Sequence, residues 1–213
     1  MDAAFVNKKN AKLNRREVEP LYTVDDAAES LKNFVPVAYD EIIQVHPRVE
    51  VRFRNAGHIL GSSFIEMWVD EGNSKTKIVF SGDIGPKEQA IICDPDIVED
   101  ADILLVESTY GNRLHKSKTD TYQEFTRIIQ DAYNRKGNII IPAFAIERTQ
   151  EIIYTLSKLF KDGRIPSMPV YIDSPLAISA TEIFKKNKDL FDEDMRKRIL
   201  SGDSPLEFSN LHY

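Results

Sequence analysis

Three residues of the types that bind metals or transfer protons each follow a strand-like run. They are His58, Asp83 and Glu107, and each lies in a loop rich in small residues. An imidazole and two carboxylates are metal ligands and acid–base groups, and small residues let a backbone turn tightly and a ligand come close. If the strands are neighbours in one sheet, the side chains meet at one edge. The sequence therefore predicts a metal site. The strand-like runs are 49–54, 77–80 and 103–106.

Each residue also has a purely structural explanation when it is taken alone. A single histidine fixes no ligand geometry, a loop aspartate caps backbone amides, and a carboxylate at a strand end needs a local partner. For His58 and Asp83 alone, the structural explanation is the stronger one. The spacings are 25 residues from 58 to 83 and 24 from 83 to 107. They fit successive strands, which favours a site.

The composition describes a folded protein with a negative charge. Its 213 residues are 42% hydrophobic and 29% charged, and the formal net charge is −6. Such a chain can bury a substantial core. The charge gives no overall attraction to nucleic acids, so a polyanionic substrate needs clustered Arg and Lys residues or bound cations.

Cysteine usage and hydropathy bear on the compartment. Cys93 is the single cysteine, which excludes an internal disulfide and favours a reducing, cytoplasmic location. No apolar run reaches the length of a membrane span and the N-terminus lacks a signal-peptide core. We therefore expect a cytoplasmic protein with no membrane partner.

Two patterns divide the chain near residue 113. Before it, a helix begins after the N-cap Thr23, and β-rich runs dominate from 37 to 106. After it, helices and strands alternate, which implies a parallel sheet. The apolar residues of 201–213 have nothing after them that would cover them. The expected helices after residue 113 are 121–134, 149–160 and 175–187, and the expected strands are 138–143, which we predict to be buried, and 170–172.

The three loops and two later segments resemble a known family. The loops are similar to the later motifs of metallo-β-lactamase-fold hydrolases, and Glu-Ser-Thr-Tyr-Gly at 107–111 is typical of the β-CASP branch, which processes nucleic acids. Two segments after the boundary resemble the start of the β-CASP domain. The loop motifs are Gly-His-Ile-Leu-Gly-Ser at 57–62, Phe-Ser-Gly-Asp-Ile-Gly at 80–85 and the stretch 106–113; the later segments are 141–151 and 171–177.

The resemblance implies the fold class and the domain organisation. It implies an α/β (α+β) protein in which residues 1–112 are the latter part of a metallo-β-lactamase αββα sandwich. Residues 113–213 would be the first part of an α/β β-CASP domain with a parallel sheet.

The resemblance also implies roles for the three residues. His58 would bind the first zinc ion and Asp83 would bridge two zinc ions. Glu107 would match the first β-CASP motif, which pairs with a histidine farther along the chain and assists proton transfer. Two cations would activate a water and neutralise charge on a phosphodiester in its transition state.

Two residues after the boundary are candidates for binding substrate. Arg148 is the best candidate to hold a backbone phosphate, and a salt bridge at a helix start is an equally good explanation of it. Ser174 precedes Pro175 at a helix start, where free backbone amides form a plausible phosphate seat.

The principal metal signature of this family, His-x-His-x-Asp-His, is absent. No two of the four histidines are two residues apart. We expect His46 and His115 to be exposed surface residues, and His212 has no assignable role. A zinc site normally needs at least three protein ligands. We therefore expect this chain to be a fragment, truncated at both ends and inactive by itself.

The predicted function is that of a fragment of a zinc-dependent ribonuclease, which hydrolyses RNA internally or from the 3′ end. A homodimer or a subunit of a processing complex is the expected assembly. One alternative is a non-catalytic scaffold that binds RNA or protein, although its site would have lost residues at random, whereas His58, Asp83 and Glu107 remain together. Another is a hydrolase of the same fold that acts on a small thioester or lactam, which would not need the helical second half.

Overall fold

A computed structural model describes residues 3–114 and 116–213, in two compact units. The first unit comprises residues 1–38 and contains α1 (Ala3–Lys12), α2 (Val24–Ser30) and a 3-10 turn at Leu31–Asn33. The predicted N-cap is confirmed. The Thr23 hydroxyl accepts the Asp26 N–H at 3.2 Å, and the Asp26 carboxylate accepts the Thr23 N–H at 2.7 Å. This reciprocal capping box fixes the helix start.

The second unit, Tyr39–Tyr213, is built on a five-stranded sheet. Strands β1 to β4 are antiparallel to their neighbours, and β5 runs parallel to β4. The strands that the sequence predicts at 49–54, 77–80 and 103–106 are therefore confirmed. The strands are β1 (Ile42–His46), β2 (Val49–Asn55), β3 (Ser63–Asp70), β4 (Lys75–Phe80) and β5 (Ile103–Leu105).

One face of this sheet buries charged residues beside apolar ones. Glu66 on β3 is 1% exposed. Its carboxylate pairs with Arg52 at 2.6 Å and with Lys77 at 2.8 Å, on the two flanking strands. Burial would raise the pKa of Glu66, but the hydrogen bonds from Lys77 and Arg52 outweigh it and hold the pKa below its usual range. The sheet therefore holds an ionised carboxylate between cations.

Helices dominate the rest of the second unit. The predicted helices are confirmed within three residues at each end. Strands β6 and β7 form a parallel pair, as the alternating pattern predicts. The elements are α3 (Lys118–Asn134), α4 (Arg148–Lys161), β6 (Val170–Tyr171), α5 (Pro175–Lys186), a 3-10 turn (Lys188–Leu190), α6 (Glu193–Leu200) and β7 (Leu211–His212).

Two predictions about the second half are wrong. The segment 138–143 is not a buried strand: it has no regular structure, and Ile140 is 90% exposed. A central parallel strand needs a partner on each side, and no strand in the described residues pairs with it. The last stretch is not uncovered either. Leu206 and Leu211 are buried in a core with Ile91 and Phe184.

The mixed α/β class is confirmed, and the described residues contain one sheet of the predicted sandwich. The domain boundary near residue 113 stays a prediction. None of the helices in the described ranges is long and apolar enough to cross a membrane.

The buried charges on the sheet predict that loss of a buried carboxylate destabilises the protein more than loss of a surface one. Glu66→Ala leaves Arg52 and Lys77 with no buried counter-charge, so we expect the free energy of unfolding to fall by about 3–5 kcal/mol. Glu50→Ala removes the surface partner of Lys75 and should cost about 0–1 kcal/mol. Denaturant titration of both variants measures the difference. Similar small losses would show that the buried pair contributes no more than a surface one.

Candidate metal and catalytic site

The strand directions bring the three predicted residues to one edge of the sheet. Because β2 and β4 both run antiparallel to β3, and β5 runs parallel to β4, the carboxyl ends of all three strands share an edge. His58, Asp83 and Glu107 each follow one of these ends by two or three residues. The structure therefore brings together the residues that the sequence pattern singles out.

His58 and Asp83 face each other across this edge. The His58 Nε2 atom lies 4.0 Å from Asp83 Oδ2, and both side chains are substantially exposed. An imidazole nitrogen and a carboxylate oxygen at this separation can contact the same cation or adjacent cations. Among residues 3–114 and 116–213, no three His, Cys, Asp or Glu side chains form a group that would complete a metal site. The pair thus offers two donors, fewer than a metal site needs.

A close backbone contact holds the two ligand loops together. The Gly85 N–H donates to the Ala56 carbonyl at 2.9 Å. A Cβ atom added at Gly85 would overlap the Gly57 carbonyl, so only glycine fits there. The buried Gln89 side chain also donates to the Gly57 carbonyl. The loop of His58 and the loop of Asp83 therefore behave as one packed unit.

Glu107 joins the third loop to the second. Its Oε1 atom accepts the Ile84 N–H at 2.6 Å, and its own N–H donates to the buried Ser81 hydroxyl at 2.9 Å. The side-chain hydrogen bond from Thr109, then the Ile84 amide, hold the pKa of Glu107 below its usual range. The attraction of nearby His58 acts in the same direction. Glu107 is consequently a fixed, ionised acceptor at neutral pH.

Arg148 lies at the first position of α4 and pairs with Glu151. The Nη1 atom of Arg148 is 2.7 Å from Glu151 Oε2, and the Arg148 side chain is 66% exposed. The salt bridge at a helix start, which the sequence offers as one explanation, is present. A surface pair of this kind is weak, so it leaves the guanidinium available to an anion.

Ser174 is the N-cap of α5. Its hydroxyl accepts the Ala177 N–H at 3.2 Å. Pro175 has no N–H group, and the Ala177 amide is already capped. The helix start therefore offers a phosphate fewer donors than the sequence predicts.

The other histidines lie apart from this site. His46, on β1, is exposed as predicted, and its Nδ1 atom accepts the Arg48 N–H at 3.3 Å. His212, which the sequence leaves without a role, stacks on Tyr171 with ring centroids 5.0 Å apart. The prediction for His115 lies outside the described residues.

Sequence reasoning missed three residues that hold the loops. Ser81 and Gln89 are buried and bond the loop backbones, as described above. Glu147, the N-cap of α4, is 6% exposed and accepts the Leu60 N–H, in the His58 loop, at 3.1 Å. Ser81 stands two residues before Asp83, a position that could have suggested its role. No local pattern could have linked residues 60 and 147.

Comparisons with known proteins identify the family. Residues 149–213 match the Beta-Casp domain. The chain is 34% identical over 194 residues to Ribonuclease TTHA0252 of Thermus thermophilus, covering 91% of this chain and 43% of that protein. It is 31% identical over 183 residues to the transcription termination factor FttA of Methanosarcina mazei, covering 84% of this chain and 28% of that protein. It is 28% identical over 204 residues to Endoribonuclease YSH1 of Eremothecium gossypii, covering 92% of this chain and 25% of that protein.

The chain belongs to the metallo-β-lactamase/β-CASP family. It spans less than half the length of these three relatives.

The backbone contact between the His58 and Asp83 loops predicts that one added methyl group lowers the stability of the protein. Gly85→Ala places a Cβ atom on the Gly57 backbone, and we expect the free energy of unfolding to fall by about 1–3 kcal/mol. At Gly137 a Cβ would be 3.6 Å from the nearest atom, the Ala132 carbonyl oxygen. Gly137→Ala should therefore leave stability within about 0.5 kcal/mol of the parent. Thermal and denaturant unfolding of both variants tests this, and equal effects would contradict the contact.

Proposed function

Taking the chain as part of a β-CASP protein, we propose that it supplies one side of the metal site of an RNA phosphodiester hydrolase. The observation that carries this proposal is the meeting of His58, Asp83 and Glu107 at one sheet edge, with His58 Nε2 and Asp83 Oδ2 4.0 Å apart. These three types of side chain can bind a cation and orient the groups around it.

The residues present fit a metal, but they do not complete its site. His58 and Asp83 offer nitrogen and oxygen donors of the kind that zinc takes, and they are exposed enough to reach it. We infer two zinc ions in the complete protein, with His58 on one and Asp83 between them. Bound zinc would supply an activated water and charge neutralisation. The remaining ligands would come from residues outside this chain.

The chain's own residues then have distinct tasks. Glu107, ionised and fixed by the Ile84 amide, would accept a hydrogen bond from an imidazole and so hold it in one orientation. Arg148 is exposed and only weakly paired, so it would bind a backbone phosphate. Ser174 would contribute indirectly, because its hydroxyl fixes the start of α5.

RNA is the substrate class that the relatives support. Two relatives are named as a ribonuclease and an endoribonuclease, and a third is named as a transcription termination factor. We infer that the complete protein cleaves RNA. The lengths of the products would distinguish internal cleavage from cleavage at the 3′ end. The small-substrate alternative has no such support.

The location and the assembly are further parts of this proposal. A free Cys93 fits a reducing, cytoplasmic compartment. The strand β5 exposes Ile103, Leu104 and Leu105, each close to half of its surface. Apolar surface of this kind is covered by more protein, as in a homodimer or a processing complex.

The test compares site variants in the complete gene product, because this chain spans less than half of its relatives. Asp83→Ala and His58→Ala should each lower the rate of single-stranded RNA cleavage at least about a hundredfold, since the loss of even outer partners of a metal ligand costs about 10–100-fold. Both should also lower the zinc content measured by mass spectrometry. His46→Ala is the control and should change neither value. Unchanged cleavage by Asp83→Ala would contradict the assignment.

A further inference from the structure

Glu147 combines three unfavourable features in one residue. Its backbone has φ 66° and ψ −61°, a region that disfavours residues with a Cβ atom. Its carboxylate is buried, and among the described residues its Oε1 atom has no hydrogen-bond partner. Burial, followed by repulsion from Glu151, raises the pKa of Glu147 to about 7. Such a combination persists where the surrounding structure requires that side chain.

The local backbone does not explain a glutamate at this position. The Arg148 N–H donates to the Ile146 carbonyl at 2.9 Å, which makes Glu147 the centre of a γ-turn with positive φ. Glycine would adopt this turn without strain. As the N-cap of α4, Glu147 makes no side-chain cap bond to the helix. Its side chain turns away from the helix that it begins.

That side chain reaches the loop that carries His58. Its Oε2 atom accepts the Leu60 N–H at 3.1 Å, across 87 residues of sequence. By contrast, the His58 and Ile59 amides donate to the Ser62 hydroxyl, within the same loop. Glu147 therefore ties the middle of this loop to a rigid helix.

We propose that Glu147 is a positioning residue, which fixes the His58 loop against the start of α4 so that the His58 imidazole is held for its metal. This rests on the proposed function only in its last step, the metal. Arg148 is the next residue along the chain, so the same turn that anchors the loop also begins the helix that carries the proposed phosphate ligand. One strained turn would thus set both groups.

The experiment separates positioning from stability with three variants of the complete gene product. Glu147→Gly removes the acceptor but suits the positive φ. Glu147→Gln keeps an amide oxygen that can accept the Leu60 N–H. Glu88→Gly is the matched control, because Glu88 also has positive φ, at 60°, but lies on the surface.

Hydrogen exchange of peptides covering 56–62 is the primary measurement. We expect Glu147→Gly to exchange about tenfold faster there, as loss of one hydrogen bond allows, with an unfolding temperature no lower than that of the parent. Glu147→Gln and Glu88→Gly should exchange like the parent. We also expect zinc to be lost to a chelator about tenfold more readily from Glu147→Gly alone.

The outcomes distinguish this inference from the proposed function. Unchanged exchange at 56–62 in Glu147→Gly would overturn the positioning role. A lower unfolding temperature with uniformly faster exchange would overturn it too, because the residue would then act on general stability. Loss of exchange protection in Glu147→Gln would exclude the acceptor role. Faster exchange without any change in zinc retention would leave the loop anchor standing and would count against His58 as a metal ligand.

Discussion

The candidate site depends on the contact of two backbones, at Gly57 and Gly85. Strand order alone brings the loops to one edge, but β3 lies between β2 and β4 and separates the ends of these strands by two strand spacings, about 10 Å. The loops must bend toward each other to bring His58 within 4.0 Å of Asp83. They do so by packing main chain on main chain, which leaves no room for a side chain at Gly85.

Two buried carboxylates of this protein show how their surroundings set ionisation. Glu66 lies between Arg52 and Lys77, and its pKa is lowered; its contribution to stability is present above its ordinary pKa and is lost as the pH falls through the folded value. Glu147 accepts one amide N–H and forms no salt bridge with the described residues, and burial raises its pKa to about 7. The free energy of unfolding therefore falls as the pH rises from the ordinary pKa of a glutamate to about 7, because over that range only the unfolded chain ionises Glu147. Glu66 therefore stabilises the sheet, whereas ionised Glu147 lowers the stability of the fold.

The sequence predicts this fold where the periodicity of one segment is sufficient. Alternation and small-residue loops located β2 to β5, and the carboxyl-end rule then placed His58, Asp83 and Glu107 together. The predictions failed where burial depends on distant partners. Residues 138–143 have the composition of a central strand, yet no described strand pairs with them. Leu206 is buried in a core that includes Ile91, more than 100 positions earlier. The hydrogen bond between Glu147 and Leu60 was not predicted for the same reason.

The start of α4 is one of the points at which the two halves of the chain meet. Three of the four residues 147–150 bond to three different parts of the structure. Glu147 accepts the Leu60 amide, Thr149 donates to the Phe144 carbonyl at 2.7 Å, and the fully buried Gln150 donates to the Thr181 hydroxyl of α5 at 2.9 Å. Only Arg148 faces solvent. This segment anchors the His58 loop, its own turn and the next helix, and its one cation, Arg148, is exposed at the start of α4. In a protein with a net charge of −6, a local positive charge of this kind is what the proposed binding of a phosphate depends on.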